Sequence, residues 1–242
     1  MSRAALDYAR EGYVIVKEVV AREECALLAA FASQALLGGR LRRSLLAHAW
    51  CRELAQRLAS HDMLKMLIPA THVAVQCTFF EKSRDYNWLV KMHQDLSIPV
   101  AERVDDAGLG PWSIKDGSLF VRAPADVLAG LVAVRVHLDP CTAEDGPLRV
   151  VPGSHRHGHL TPEESIALRR DDEEIACTMD AGSALVMHPL LLHASSKASG
   201  SGQRRVLHFL FGPRALPHGL RWPLCNADVV DRGTPSTFER RE

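Results

Sequence analysis

Residues 131–154 read "LVAVRVHLDPCTAEDGPLRVVPGS" and contain two strand signals separated by a turn-rich segment. In the first signal, successive side chains of an extended chain point to two different faces. One face is apolar: Val132, Val134, Val136 and Leu138. The other is mixed: Ala133, Arg135, His137 and Asp139. An edge strand facing water gives the same alternation, but if sheets close around a polar cavity the mixed face lines it.

The same analysis on either side of this stretch predicts helices first and then about eight strands. The predicted helices cover residues 2–10, 21–37 and 44–68, the last stopped by Pro69. One strand, 13–20, precedes the second helix. The other predicted strands cover 72–82, 88–98, 128–139, 146–154, 174–181, 183–188, 190–195 and 204–212. This order is typical of an α+β protein with a β-sandwich or barrel core.

The chain reads as a single domain, 1–242, with no internal repeat. We expect a helical part at 1–70, a strand-rich core at 71–213 and a polar tail at 226–242. Residues 96–126 are long and turn-rich. Because loops of this length are usually functional or disordered, we expect them to form a lid, with Trp112 against the substrate.

Composition narrows the function. The 242 residues are 47% hydrophobic with a formal net charge of zero, so nothing favours nucleic acid or an anionic membrane as a partner. The N-terminus has no signal-like or anchor-like apolar segment, and no apolar run is long enough to span a bilayer. Six scattered cysteines without a C-x-x-C pair predict buried thiols. We therefore expect a cytoplasmic protein acting on a small molecule; the oligomeric state stays open.

Residues 91–98, "KMHQDLSI", place His93 and Asp95 two positions apart, on one face if the segment is a strand. A third ligand would let them fix a metal ion. His193 is favoured because it ends a strand beside small residues, and His188 stays a rival. Two imidazoles and one carboxylate suit non-haem Fe(II). The tract "GSHRHGHL" at 153–160 is interpreted as a solvated loop, and His155 as an architectural residue of the turn.

Three ordered motifs, "MHQD", "AEDGPLRVVPGSHRHG" and "HPLLLHASS…QRRVLHF", closely resemble the phytanoyl-CoA dioxygenase family of Fe(II)/2-oxoglutarate oxygenases. The likeness extends from Glu11 to about Phe211. It implies a double-stranded β-helix (jelly-roll or cupin-like) core with flanking N-terminal helices, and Fe(II) with 2-oxoglutarate and O₂ as co-substrates. The residues that match the family's iron ligands are His93, Asp95 and His193.

The resemblance also assigns co-substrate and substrate residues. Arg204, eleven residues after His193, matches the arginine that pairs with the far carboxylate of 2-oxoglutarate. Ser195 matches a hydroxyl that assists this contact, and Lys82 a lysine that touches the co-substrate in some relatives. Gln76 matches a substrate-contacting glutamine. The reaction implied is hydroxylation of an unactivated C–H bond, with desaturation or ring closure left open.

Arg135 departs from the family pattern, since relatives often have an aromatic residue near this position. A cation that points into the cavity needs an anionic partner. We expect Arg135 to bind a carboxylate of the substrate or to support 2-oxoglutarate; the alternative is a salt bridge to a neighbouring Asp or Glu.

Two other functions remain open: a cupin-like isomerase that needs no co-substrate, and a non-catalytic relative that binds a ligand without turnover. An isomerase has no need for a buried Arg204, and the intact triad argues against the second. A CoA thioester would favour a basic entrance such as Arg40, Arg42 and Arg43, although a solvated helix-turn is the simpler interpretation of these arginines.

Overall fold

The structure is a computed structural model that describes residues 2–36, 45–106, 108–171 and 173–223. Arg40, Arg42, Arg43 and the predicted tail at 226–242 lie outside the described residues. The helices are α1 (Arg3–Glu11), α2 (Arg22–Ala35), α3 (Ala49–Ser60), α4 (Ala125–Ala129) and α5 (Pro162–Asp171). Short 3₁₀ turns occur at Leu45–Ala47, Leu64–Met66, Ala143–Asp145 and Ser154–His157. Within these ranges no helix has both the length and the apolar character of a membrane span.

The described strands follow in chain order. They are β1 (Tyr13–Val16), β2 (His72–Lys82), β3 (Val90–His93), β4 (Ser97–Pro99), β5 (Trp112–Lys115), β6 (Ser118–Arg122), β7 (Val132–His137), β8 (Leu148–Val150), β9 (Ile175–Cys177), β10 (Ala184–Met187), β11 (His193–Ser195) and β12 (Arg204–Pro213). All their pairings are antiparallel.

Two facing sheets form the jelly roll. The major sheet has the order β1-β10-β7-β12-β2, and the minor sheet has the order β3-β11-β8-β9. This arrangement confirms the α+β jelly-roll prediction. Non-sequential neighbours such as β10 and β7 show that the chain crosses repeatedly between sheets, which is how a jelly roll is wound.

The N-terminal helices pack against the outer face of the major sheet. The side-chain oxygen of Ser2 caps α1 by accepting from the Ala5 amide at 3.2 Å, and Gly12, at φ 80°, ends it in the left-handed conformation. Leu28 of α2, Leu54 and Leu58 of α3, and Phe209 of β12 share one buried cluster. Burying this face leaves the opposite face of the sheet to form the wall of a cavity.

Strand β7 follows the predicted alternation. Val132, Val134 and Val136 belong to the cluster beneath the helices, whereas Ala133 and Arg135 line the cavity. The two faces of β7 were therefore correctly assigned by the alternation.

In strand β2 the same alternation predicts that Val73, Val75, Cys77 and Phe79 share one apolar face, and the structure follows this prediction only in part. The register shifts between Leu210 and Phe211, so that Gln76 and Ala74 pair with consecutive residues and Val75 is skipped. Such a bulge inserts one extra residue and reverses the faces beyond it. Val75 consequently packs in the inner cluster, whereas Cys77 packs beneath the helices. The prediction that these residues share one face was wrong.

The predicted helix at 44–68 is also shorter than expected. A 3₁₀ turn, α3 and a second 3₁₀ turn replace it, with His48 and His61 extended at the two ends of α3. Lys65 and the buried Leu64 follow in the second turn. The polar sequence at 60–62, Ser-His-Asp, has low helix propensity, so the chain turns there and buries Leu64.

Residues 96–126 contain a small third sheet, with order β4-β6-β5, rather than a loop without secondary structure. The β5–β6 hairpin turns at Asp116 (φ 49°) and Gly117 (φ 76°), and two successive positive φ angles are typical of a tight hairpin turn. Ile98, Lys115 and Phe120 from this segment contribute to the cavity wall. Its role as a lid remains a prediction.

Candidate active site

Strand pairing brings the two candidate histidine ligands together. His93 ends β3 and His193 begins β11, and the two residues are directly opposite in register. Directly opposite residues of an antiparallel pair project from the same face. Their ring centroids are consequently 4.3 Å apart.

Asp95 completes the cluster from just beyond β3. The strand ends at His93, so the predicted strand 88–98 is interrupted; Asp95 is positioned instead by its amide, which donates to the Pro189 carbonyl at 2.9 Å. Its two carboxylate oxygens lie 3.6 Å from His93 Nε2 and 3.7 Å from His193 Nε2. One potential ligand atom from each residue lies within 4.8 Å of the others.

The hydrogen bonds of both imidazoles suit metal binding. His93 Nδ1 donates to the Lys91 carbonyl and His193 Nδ1 to the Leu191 carbonyl, each at 2.8 Å. Donation from Nδ1 leaves the Nε2 lone pair facing Asp95, and this outer hydrogen bond is a common partner of metal-binding histidine. The donor set therefore fits a divalent metal such as Fe(II).

Electrostatics support the same assignment. Burial lowers the pKa of His193 to about 4, so its imidazole is neutral at pH 7. Burial also disfavours charged His93, but the hydrogen bond and charge of Asp95 outweigh it and raise the His93 pKa. Although burial alone would raise the pKa of Asp95, the neighbouring imidazoles lower it below its usual range. Asp95 is thus anionic at neutral pH, which suits a candidate metal ligand.

The rival ligand His188 lies elsewhere. Its ring packs against His155 with centroids 5.1 Å apart, and its Nδ1 accepts from the Leu190 amide at 3.2 Å. His155 Nε2 lies 3.3 Å from the Ala9 carbonyl. In the part of the chain that the structure describes, only His93, Asp95 and His193 form a cluster of metal-ligating groups.

Gln94, between two candidate ligands, anchors the segment from the other side. Its amide nitrogen donates to the carbonyls of Gly158 and Leu190 at 2.8 and 2.7 Å, and its carbonyl accepts from the Leu160 amide at 2.9 Å. Sequence reasoning missed this residue; its position inside "HQD" was the available signal.

A cavity of about 360 Å³ lies between the two main sheets, with the triad in its wall. Predicted residues Gln76, Arg135, Ser195 and Arg204 line it. Trp112 lies outside the described lining and instead stacks near Arg103, with 5.8 Å from the guanidinium carbon to the ring centroid. The lining residues that sequence reasoning did not assign include His208, Phe80 and Trp88.

Two cations lie together beside the triad: Arg204 lines the cavity, whereas Lys82 is not among the lining residues and contacts the lining residue Ser195. Arg204 and Lys82 are paired across β12 and β2, and both are almost fully buried. Lys82 Nζ donates to Ser195 Oγ at 2.7 Å, and Ser195 Oγ donates to the Gly146 carbonyl at 2.9 Å. Arg204 Nη1 donates to the same carbonyl at 2.6 Å.

Neither cation forms an ion pair with a carboxylate of the described residues. In the described ranges no carboxylate lies within ion-pair distance of Arg204 or Lys82, and Arg204 Nε is buried without a hydrogen-bond acceptor. Burial and the charge of Arg204 lower the pKa of Lys82 to about 7. Since buried charges are otherwise paired, this end of the cavity is suited to an anion.

Fold and site together define a jelly-roll protein with a 2-His-1-carboxylate centre, the ligand set of non-haem Fe(II) oxygenases. The family model described as phytanoyl-CoA dioxygenase (PhyH) matches residues 8–206, most of the chain. The chain belongs to the phytanoyl-CoA dioxygenase family.

Individual proteins show the same likeness. The iron/alpha-ketoglutarate-dependent dioxygenase ausO of Aspergillus calidoustus is 32% identical over 82 residues, which are 33% of this chain and 27% of that protein. The match thus spans about a quarter of that relative's length. Apo EctD from S. alaskensis superposes with a TM-score of 0.66 at 19% identity, covering 88% of this chain and 77% of that one. HygX from Streptomyces hygroscopicus, solved with nickel and 2-oxoglutarate bound, superposes with a TM-score of 0.57 at 18% identity, covering 88% of this chain and 87% of that one.

Proposed function

We propose that the protein is an Fe(II)- and 2-oxoglutarate-dependent dioxygenase that hydroxylates an unactivated C–H bond of a small molecule. The observation that carries the proposal is one cavity whose wall holds both the metal-ligand triad and a buried, unpaired Arg204. Family membership supports the same chemistry.

In this proposal His93, Asp95 and His193 hold the iron through Nε2 and carboxylate oxygen atoms. When bound, iron and 2-oxoglutarate supply the oxidising chemistry that cleaves the C–H bond. Three protein ligands would leave coordination positions open for the co-substrate and O₂ when iron is bound. The Nδ1 hydrogen bonds orient both imidazoles before any ligand arrives.

Arg204 binds the far carboxylate of 2-oxoglutarate in this proposal. A guanidinium pairs with a carboxylate through two parallel hydrogen bonds, and Arg204 is held for this by the Gly146 carbonyl. Ser195 lies 3.4 Å from Arg204 Nη2 and 2.7 Å from Lys82 Nζ, so it links the two cations. Lys82 adds positive charge beside the same carboxylate.

The cavity limits the size of the substrate and shields the reacting atoms from water. A volume of about 360 Å³ is near the lower end of the roughly 300–1,000 Å³ of ligand pockets, and it must hold 2-oxoglutarate as well. The substrate, or the part that enters, is therefore small. Ile98 and Phe120 of segment 96–126 contribute apolar wall that shields the reacting atoms from solvent. A cupin-like isomerase would leave Arg204 and Lys82 without an anion.

Succinate release tests the proposal. Purified protein given Fe(II), 2-oxoglutarate and O₂ should release succinate even without a primary substrate, and His93→Ala should reduce both bound iron and succinate to background. The matched control is His157→Ala, which removes an exposed histidine from the "GSHRHGHL" tract and should leave both unchanged. Equal succinate release from the protein and from His93→Ala would refute the assignment.

A further inference from the structure

Arg135 is a second buried cation of the cavity, separate from Arg204 and Lys82. It lies on the inner face of β7, is 7% exposed, and is directly opposite His208 of β12 in register. Its Nη1 lies 2.7 Å from His208 Nδ1, and its guanidinium carbon lies 5.2 Å from the centroid of the Phe80 ring. We call these three residues the Arg135 corner.

Among the described residues, no carboxylate lies within ion-pair distance of the Arg135 guanidinium. A guanidinium contains only hydrogen-bond donors, so Arg135 donates to His208 Nδ1. The imidazole therefore contributes a lone pair to this contact rather than a negative charge. Asp139, the acidic neighbour nearest in sequence, is paired instead with Arg205 at 2.6 Å. Among the described residues that line the cavity, Asp95 is the one acidic side chain, and the proposed function assigns it to the metal.

The guanidinium also has a free hydrogen-bonding edge. Arg135 Nε is buried and has no acceptor among the described residues. The edge of a guanidinium that contains Nε is one of the two that bind a carboxylate through parallel hydrogen bonds. The Phe80 ring supports the guanidinium plane from one side, so this edge is held in place before a ligand binds.

The Arg135 corner is distinct from the proposed co-substrate end. Arg135 pairs with position 208 of β12, four residues beyond Arg204, which is about 13 Å along a strand. Next to the Arg135 corner the wall becomes apolar: Ala133 and Leu210 pair across the sheet, and Leu131 and Leu128 continue the lining.

We propose that the Arg135 corner binds the carboxylate of the primary substrate, and that this substrate is a small acid whose apolar part lies along Leu128, Leu131, Ala133 and Leu210. The inference rests on the proposed function, because it assigns the far carboxylate of 2-oxoglutarate to Arg204. It narrows the substrate class to free monocarboxylates rather than amides, amines or thioesters of the same shape.

Binding of three matched probes tests this. Hexanoate, hexanamide and hexylamine are titrated calorimetrically into protein loaded with Fe(II) and 2-oxoglutarate in the absence of oxygen. The protein should bind hexanoate at least tenfold more tightly than hexanamide and should not bind hexylamine measurably. Arg135→Gln should remove the preference for hexanoate while changing the 2-oxoglutarate Kd less than twofold. Arg135→Lys, which keeps the charge but loses the paired hydrogen bonds, should retain part of it.

The control variant is Arg214→Gln, which removes an exposed arginine beyond β12 and should keep the full preference. If Arg135→Gln does not fold, Arg135→Lys still tests the inference. A full preference for hexanoate over hexanamide in Arg135→Lys would overturn the assignment of paired hydrogen bonds to Arg135. Equal binding of hexanoate and hexanamide, or a tenfold weaker 2-oxoglutarate Kd in either variant, would also overturn the inference. Protein that binds neither iron nor 2-oxoglutarate would instead refute the proposed function.

Discussion

The buried amine of Lys82 predicts that 2-oxoglutarate binding is linked to proton uptake. Burial and the Arg204 charge lower the Lys82 pKa from 10.5 to about 7, so half of the free protein carries a neutral amine at pH 7. A bound dianion beside the amine favours its charged form. If binding restores the pKa to about 10.5, the protein should take up roughly 0.5 proton at pH 7 and roughly 0.9 at pH 8.

The sign of the pH dependence follows directly. Above pH 7 the free protein has lost the proton that the complex keeps, so affinity falls as the pH rises. With these two pKa values, the 2-oxoglutarate Kd should increase roughly fivefold from pH 7 to pH 8 and approach a tenfold increase over the next pH unit. Smaller restoration of the pKa would give a smaller slope, so these values are upper limits.

Calorimetry on iron-loaded protein without oxygen, in buffers of different ionisation enthalpy, measures both the proton uptake and the 2-oxoglutarate Kd. Lys82→Met should bind 2-oxoglutarate more weakly at pH 7, with no proton uptake and a nearly flat pH profile. Lys65→Met removes an exposed lysine and should keep the full pH dependence. If Lys82→Met showed the same proton uptake as the unaltered protein, the assignment of the titrating group to Lys82 would be wrong.

Two further outcomes are expected. Arg204→Gln should weaken 2-oxoglutarate binding at least about 30-fold (about 2 kcal/mol), since truncating one partner of a buried charge pair costs at least this much; Arg205→Gln, outside the cavity, should leave the Kd unchanged in the same titration. Phe209→Ala should lower the free energy of unfolding in urea by about 3–5 kcal/mol, because Phe209 is fully buried beneath the helices, whereas Ile114→Ala, 73% exposed, should change it by no more than about 0.5 kcal/mol.

Alternation along strands was the part of the fold most accessible from the sequence. It assigned the faces of β7 correctly because every residue of that strand pairs regularly. It failed beyond Gln76 because the bulge at Val75 depends on the partner strand β12, and nothing local in "HVAVQC" specifies it. The break of the predicted helix after Ser60 differs, because the low helix propensity of Ser-His-Asp at 60–62 is a local signal that the apolar periodicity of 44–68 outweighed in the prediction.

The candidate site was only partly accessible. His93, Asp95 and His193 were selected by spacing and by family resemblance, and register places the two histidines opposite each other. His208 was not assigned to the site. It lies four residues after Arg204 on β12, and alternation places both side chains on the same face. The absence of an acidic partner for Arg135 could not be predicted, because Asp139 lies only four residues away and its pairing with Arg205 is a tertiary contact.

The hydrogen bonds from His93 and His193 to carbonyls two residues earlier have a consequence for substitutions in the cavity wall. Each candidate ligand is oriented by the main-chain carbonyl two residues before it, a group that every amino acid supplies alike. Cavity-wall side chains other than Gln94, which anchors the segment between His93 and Asp95, can then be exchanged without removing these two hydrogen bonds. Substitutions at lining positions such as Gln76, Phe80 and Arg135 are therefore expected to change the cavity wall while leaving the orientation of both imidazoles in place.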